Sequence, residues 1–225
     1  MNNLASKTAL GFTQLIAILG ILLLAPAWTL HYWQAWVYLC VFATSSGLIT
    51  AYLWKKDPKL LERRIDAGPG AENEKTQKLI QLLASLAFIG AMLLPSLDHR
   101  FSWSVVPLPV VLAGDVLVAI GFLIVFLVFK ENTFAAATIA VSPDQTVVST
   151  GPYAIVRHPM YSGALVMLLG TPLALGSWCG ILMFILMALA IAWRARDEER
   201  FLFKNLSHYE EYCQTVRYRL VPFVW

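Results

Sequence analysis

Charged residues are scarce in this chain, and their scarcity argues against an ordinary soluble domain. Asp, Glu, Lys and Arg make up only 14% of the 225 residues, whereas soluble domains average about 25%. Hydrophobic residues make up 58%, and the mean hydropathy is +0.64. The net charge of +3 is spread along the chain without a basic stripe interleaved with aromatics, so we expect no nucleic-acid partner. The composition predicts a protein embedded in a bilayer.

Cysteine is also sparse, with Cys40, Cys179 and Cys213 and no Cys-x-x-Cys pair. We therefore expect neither a disulfide framework nor a metal site, and interpret the three as small hydrophobic residues. A Gly-x-Gly-x-x-Gly dinucleotide motif is absent. The apolar run after Lys7 is too long for the core of a cleavable signal, so none is predicted.

Long apolar runs dominate instead, and a helix needs roughly 17–25 of such residues to cross a bilayer. Four single spans are predicted at about 9–29, 35–54, 79–97 and 105–129. A fifth run, 160–193, is too long for one crossing. Breaks at Gly170-Thr171-Pro172 and at Gly176-Ser177 divide it into a tight helical hairpin. The predicted fold is therefore an all-α polytopic bundle of five to six spans.

The distribution of positive charge predicts the orientation of this bundle. With six crossings, every Lys and Arg of the 17 except Arg100 falls on one side of the membrane. That side should be cytoplasmic, together with both termini. The aromatic residues Trp28, Tyr32, Trp33, Trp36 and Trp103 fall near the opposite interface, where aromatic belts form. The polar connection 55–78, with its turn-rich Asp66-Ala67-Gly68-Pro69-Gly70, is interpreted as a connection rather than a lid.

The segment from Gly151 to Gly163 joins a turn to the start of a helix. Gly151-Pro152 favours a turn, and Pro159 suits the first helical position while keeping His158 out of the helix. Arg157 adds a charge to a helix mouth that already favours anions. The segment is either a binding site for an anionic ligand group or a membrane-entry cap with Arg157 extending to lipid headgroups.

Acidic residues follow the last apolar run, where the helix should leave the bilayer. Glu199 shares a helical face with Ala192, Ala195 and Leu202, so its carboxylate should point inward and require a partner. Glu198 is spaced to pair with Arg194. Asp197, Arg196 and Arg200 are interpreted as a solvated, self-paired face. Asp115, inside the fourth span, is a functional candidate of lower rank.

These two segments resemble the isoprenylcysteine carboxyl methyltransferase and phospholipid methyltransferase superfamily. The first motif falls on Gly151, Pro152, Tyr153, Arg157, His158, Pro159, Tyr161 and Gly163. The second falls on Arg194, Glu198, Glu199 and Leu202, and is followed by Tyr209, Tyr212, Arg217 and Pro222-Phe223. An Asn-x-Phe element is matched by Asn132 and Phe134. The resemblance covers about 130–223, and the first hundred residues match little.

The resemblance implies an integral membrane methyltransferase that uses S-adenosylmethionine. It implies that the cofactor is held by Tyr153, Arg157, His158, Pro159, Tyr161, Gly163, Glu198 and Glu199. It implies that the acceptor lies near Asn132, Phe134, Arg194 and Tyr212. The hypothesis for catalysis is that Arg194 orients an anionic acceptor, and that Glu199 acts as the base if the acceptor is an amine.

We expect a lipophilic acceptor, first of all a carboxylate of the isoprenylcysteine type, with a phospholipid amine or a thiol as alternatives. Residues 1–129 would form the scaffold and acceptor pocket, and 130–225 the methyltransferase core, in contact with membrane lipids. Two rivals from other classes are an NADPH-dependent membrane reductase and a non-catalytic membrane protein such as a small transporter. Binding of S-adenosylhomocysteine or NADPH would distinguish the two enzymes.

Overall fold

The computed structural model describes residues 2–65, 70, 75–135 and 145–225, and this part of the chain contains helices without strands. The long helices are α1 (Asn2–Ala27), α2 (Trp33–Lys56), α4 (Lys75–Phe101), α5 (Leu108–Glu131) and α7 (Ile181–Asn205). The shorter ones are α3 (Pro58–Ile65), α6 (Pro159–Ala174) and α8 (Tyr209–Thr215), with a 3-10 turn at Gly151–Ala154. The predicted all-α class is confirmed.

Four helices are long and apolar enough to cross a membrane, namely α1, α2, α4 and α5. Helix α6 is apolar but has only 16 residues, fewer than the roughly 20 of a typical span. Helix α7 is apolar as far as Trp193 and strongly charged from Arg194 onward. These helices support an integral membrane protein in the form of a helical bundle.

The predicted hairpin is confirmed, but one of its two predicted breaks is wrong. Gly170-Thr171-Pro172 lies inside α6. Proline removes one backbone hydrogen bond from the helix, and a membrane helix tolerates this loss where neighbouring helices pack against it. The chain turns instead between α6 and α7, where Gly176 takes a φ of +71° that side-chain-bearing residues rarely adopt.

Polar contacts fasten this hairpin turn to α2 and α4 at one end of the bundle. Tyr32 Oη donates a 2.6 Å hydrogen bond to the carbonyl of Leu175, and Ser177 Oγ donates to Asp98 Oδ2 at 2.5 Å. Tyr32 is fully buried, so it packs inside the bundle at this end. Because the turn lies at this end, the start of α6 and the charged half of α7 both lie at the other end.

Helices α5 and α6 approach each other closely through paired glycines. A Cβ on Gly163 would stand 2.9 Å from the carbonyl oxygen of Gly121, and one on Gly170 would stand 2.6 Å from that of Gly114. Small residues allow backbones to approach in this way within membranes. Helix α5 therefore fills the space beside Gly163, a residue that the resemblance assigned to the cofactor.

Asp115 lies near the start of α5, away from the end where the two motifs are. It is 7% exposed, and neither carboxylate oxygen has a hydrogen-bond partner among the residues that the structure describes. The Asp66–Gly70 loop falls on residues outside the described part, apart from Gly70. The connection that contains it begins with α3, a helix that the sequence analysis did not predict.

Candidate functional site

A turn leads directly into α6 and positions the first motif. Gly151 has a φ of +55°, and a Cβ there would stand 3.0 Å from the carboxylate of Glu131, so glycine is favoured on both grounds. His158 precedes the helix and Pro159 is its first residue, as predicted. His158 is buried, and its ring stacks on Tyr161 with centroids 5.5 Å apart.

The C-terminal segment pairs with this turn through the backbone. The amide of Arg157 donates to the carbonyl of Tyr218 and that of His158 to the carbonyl of Arg219, both at 2.9 Å. Ser162 Oγ donates to the carbonyl of Leu220 at 2.5 Å. These bonds hold Arg157 and His158 in place from the side opposite to α7, and they bring Arg219 into the site.

Glu199 is the centre of the buried charge cluster. Arg157 Nη1 lies 2.9 Å from Glu199 Oε1, and Arg219 Nε donates to Oε2 at 2.8 Å. His158 Nε2 is 3.5 Å from Oε1. Glu199 is 4% exposed, which confirms the inward orientation predicted from its helical face. The two motifs therefore meet, and the membrane-entry interpretation of Arg157 is wrong because its guanidinium points at α7.

The physical environment keeps Glu199 ionised. Burial alone raises the pKa of a carboxyl group. Here the hydrogen bond from Arg219, the close contact with His158 and the charge of Arg157 outweigh burial and hold the pKa of Glu199 below its usual 4.5. Glu199 is therefore an anion at neutral pH.

Glu198 belongs to a second, connected chain of polar side chains. Tyr161 Oη donates to Glu198 Oε2 at 2.6 Å and accepts from Arg194 Nε at 2.9 Å. Arg194 Nη1 also donates to Gln77 Oε1 at 3.0 Å. The sequence analysis predicted that Glu198 pairs with Arg194. In the structure, the hydroxyl of Tyr161 connects these two residues.

Gln77, at the start of α4, extends this chain to Asp197. Its amide nitrogen donates to Asp197 Oδ2, so the prediction that Asp197 belongs to a self-paired, solvated face is wrong. Gln77 is 1% exposed. No spacing in the sequence indicated Gln77, because its contacts join two helices that are distant along the chain. Arg219 was missed for the same reason.

Polar atoms remain without hydrogen bonds inside the charge cluster. They are Arg157 Nε, His158 Nε2 and Glu199 Oε1, all buried and with no hydrogen-bond partner among the described residues. The contacts of Glu199 Oε1 with Arg157 and His158 are ion pairs that lack hydrogen-bond geometry. Buried polar atoms are normally satisfied, so this cluster has the features of a ligand site.

An aromatic and amide wall lies beside the cluster. Asn132 Nδ2 donates to Tyr153 Oη at 2.8 Å, and Tyr212 Oη donates to the carbonyl of Tyr153 at 2.7 Å. Burial raises the pKa of Tyr153 to about 12, so its hydroxyl is neutral at physiological pH. The structure thus brings Tyr153, Asn132 and Tyr212 together. Phe134 lies farther out, with Arg63 over its ring at 5.5 Å.

Fold and site together define a helical membrane protein with a buried, charged cluster at one end of its bundle. Residues 109–208 match the family model for phospholipid methyltransferases. This match confirms the resemblance based on the two motifs, both of which lie largely within it, and it supports a membrane methyltransferase.

A further relative is Delta(14)-sterol reductase TM7SF2 of Mus musculus, 34% identical over 93 residues. The aligned part is 39% of this chain and 22% of the reductase. The chain therefore spans about a fifth of the length of that relative.

Proposed function

We propose that this protein is an S-adenosylmethionine-dependent membrane methyltransferase acting on a lipophilic acceptor, first of all a carboxylate of the isoprenylcysteine type. The observation that carries the proposal is the convergence of Arg157-His158 with Glu198-Glu199 in one cluster. The phospholipid methyltransferase match over 109–208 supports the same reaction class.

The residues of the cluster fit the chemical groups of this cofactor. Its amino-acid end carries a carboxylate and an ammonium, which suit Arg157 with His158 and Glu198 with Glu199, respectively. The unsatisfied Arg157 Nε, His158 Nε2 and Glu199 Oε1 offer donors and an acceptor for these groups. Tyr153 and Tyr161 would hold the adenine. When bound, the cofactor supplies a methyl group activated by a sulfonium. Gly163 is left out of this proposal because α5 fills the space beside it.

Arg194 would orient the acceptor, with Tyr161 holding its guanidinium in place. Arg194 is 9% exposed, and its contacts with Tyr161 and Gln77 fix its direction. An anionic acceptor needs no general base. The protein would therefore contribute by positioning the acceptor and by excluding water. For an amine acceptor, the ionised carboxylate of Glu199 would accept the proton. Asn132 and Tyr212 would act on the acceptor through Tyr153, which both of them contact.

The first experiment measures binding of S-adenosylhomocysteine and NADPH to the detergent-solubilised protein by calorimetry. The proposal expects binding of the first and none of the second. Methyl transfer from radiolabelled cofactor into fractionated membranes would then identify the acceptor. Base-labile label indicates an ester, and stable label on lipid indicates N-methylation. Absence of both binding and transfer would refute the proposal.

A reductase is the second candidate, because one relative is named a sterol reductase. NADPH binding together with loss of a substrate double bond would favour it.

The orientation is a further part of the proposal, with the site on the cytoplasmic face because Lys and Arg concentrate at that end. A membrane-impermeant thiol reagent on an Arg217→Cys variant in sealed vesicles tests the orientation.

A further inference from the structure

The short helix α3 lies at the site end of the bundle, between α2 and α5. Leu60 and Leu61 are buried in a cluster with Leu53 and Phe129, and Asp57 Oδ1 accepts a 2.9 Å hydrogen bond from the amide of Leu60. The apolar face and the capped start fix the helix in position. Arg63 and Arg64 lie in its last turn, and the spacing of Arg64 from Leu60 and Leu61 puts it on the same face as these buried leucines.

Arg64 extends from α3 toward the start of α6. Its Cζ lies 5.1 Å from the ring centroid of Phe129, and Nη1 lies 3.6 Å from the sulfur of Met160. Met160 is the second residue of α6, directly after the Arg-His-Pro motif. Burial lowers the pKa of Arg64, and the positive charge of Arg194 lowers it further. A guanidinium stays protonated under such shifts, so Arg64 is a cation beside Met160, the residue that precedes Tyr161 at the start of α6.

The cluster carries a surplus of positive charge. Four guanidiniums lie at this end of the bundle: Arg157 and Arg219 contact Glu199, Arg194 is bonded to Tyr161 and Gln77, and Arg64 contacts Met160. The carboxylates bonded in the same network are three, those of Asp197, Glu198 and Glu199. Glu199 contacts two of the guanidiniums by itself. A cofactor with a sulfonium, an ammonium and a carboxylate brings a further net positive charge. Like charges in a partly desolvated site repel each other, so the second ligand should be an anion.

We propose that Arg64 and Arg194 together bind an oxyanion in the headgroup of the acceptor, which makes Arg64 a specificity-determining residue. The proposal rests on the proposed function and narrows its acceptor to lipids with a carboxylate or a phosphate. Two guanidiniums from different helices suit an oxyanion because each offers several donors in a fixed plane. The apolar neighbours Phe129 and Met160 suit the lipid chain that accompanies the headgroup.

The test compares binding of matched lipid pairs to the full-length protein in detergent. One pair is S-farnesyl-N-acetylcysteine and its carboxamide, and the other is a lysophosphatidate and the monoacylglycerol of equal chain length. The wild type should prefer the oxyanion in at least one pair. Arg64→Gln should lower that preference by roughly tenfold or more, the value of a charge-assisted hydrogen bond, and Arg64→Lys should lower it less. The pair that responds identifies carboxylate or phosphate.

Lys59→Gln is the matched control, because it removes a cation from the exposed side of the same helix and should keep the preference. A merely structural Arg64 would lower the melting temperature without changing the preference, and that result would overturn the inference. So would a wild type that prefers the oxyanion in neither pair. Binding of S-adenosylhomocysteine should be the same in Arg64→Gln and wild type. If S-adenosylhomocysteine binds to neither protein, the proposed function is refuted independently of the role of Arg64.

Discussion

Arg157 Nη1 lies 2.9 Å from Glu199 Oε1, and both side chains are less than a tenth exposed. This ion pair joins the turn before α6 to the charged half of α7. Removing one partner of a buried pair leaves the other charge uncompensated. The pair therefore contributes to the stability of this end of the bundle, and it also belongs to the proposed cofactor site.

Glu199→Gln should weaken both folding and cofactor binding. We expect a loss of stability of roughly 3–5 kcal/mol, because Arg157 and Arg219 lose their shared carboxylate. Thermal unfolding in detergent and calorimetry with S-adenosylhomocysteine measure the two effects. The double variant Arg157→Gln, Glu199→Gln should regain part of the stability, since neither charge is then left alone. A double variant as unstable as the sum of the two single changes would contradict this account.

Stability should fall in acid in a way that depends on Glu199. A lowered native pKa means that ionised Glu199 stabilises the fold above its unfolded pKa of about 4.3. That contribution is lost as pH falls through the lower native value. The wild-type melting temperature should drop as the pH falls below the unfolded pKa, and that of Glu199→Gln should drop less. Glu210→Gln, an exposed change on α8, should follow the wild type.

Tyr161→Phe should impair turnover and also lower the stability of the fold. The hydroxyl of Tyr161 connects Glu198 to Arg194, and hydrogen bonds to charged groups contribute roughly 1.5–3 kcal/mol. We expect a loss of about tenfold or more in kcat/KM for the acceptor. Tyr52→Phe is the control, because the Tyr52 ring packs against Phe126 rather than against residues of the charge cluster. Equal kinetics of Tyr161→Phe and wild type would remove this hydroxyl from the site.

Gly163→Ala should destabilise the bundle by about 1–3 kcal/mol, because its Cβ would stand 2.9 Å from a backbone carbonyl oxygen of α5. Helix propensity alone predicts the opposite sign. Gly20→Ala provides the comparison, since nothing lies within 4 Å of a Cβ there, and should be neutral or slightly stabilising. A Gly163→Ala protein as stable as the wild type would contradict the close contact of α5 and α6.

The sequence predicted the spans and the residues of the first motif well, and their partners less well. The long apolar helices, the start of α6 at Pro159 and the inward direction of Glu199 were all predicted from local pattern. Asp197 was misjudged because its partner, Gln77, lies on another helix. Gly163 was assigned to the ligand because the sequence does not indicate which helix packs against a glycine.

The sequence by itself determined that the chain forms apolar helices and that acids and bases collect at one end. Hydropathy, proline geometry and helical periodicity are local properties, and each follows from residues near one another in the chain. Only the tertiary structure decided that Arg157, Arg219 and Glu199 form one cluster. It also decided that Arg64 reaches Met160, at the start of α6, from α3. The physical reason is that such contacts depend on how the helices pack, and packing is a property of the whole bundle.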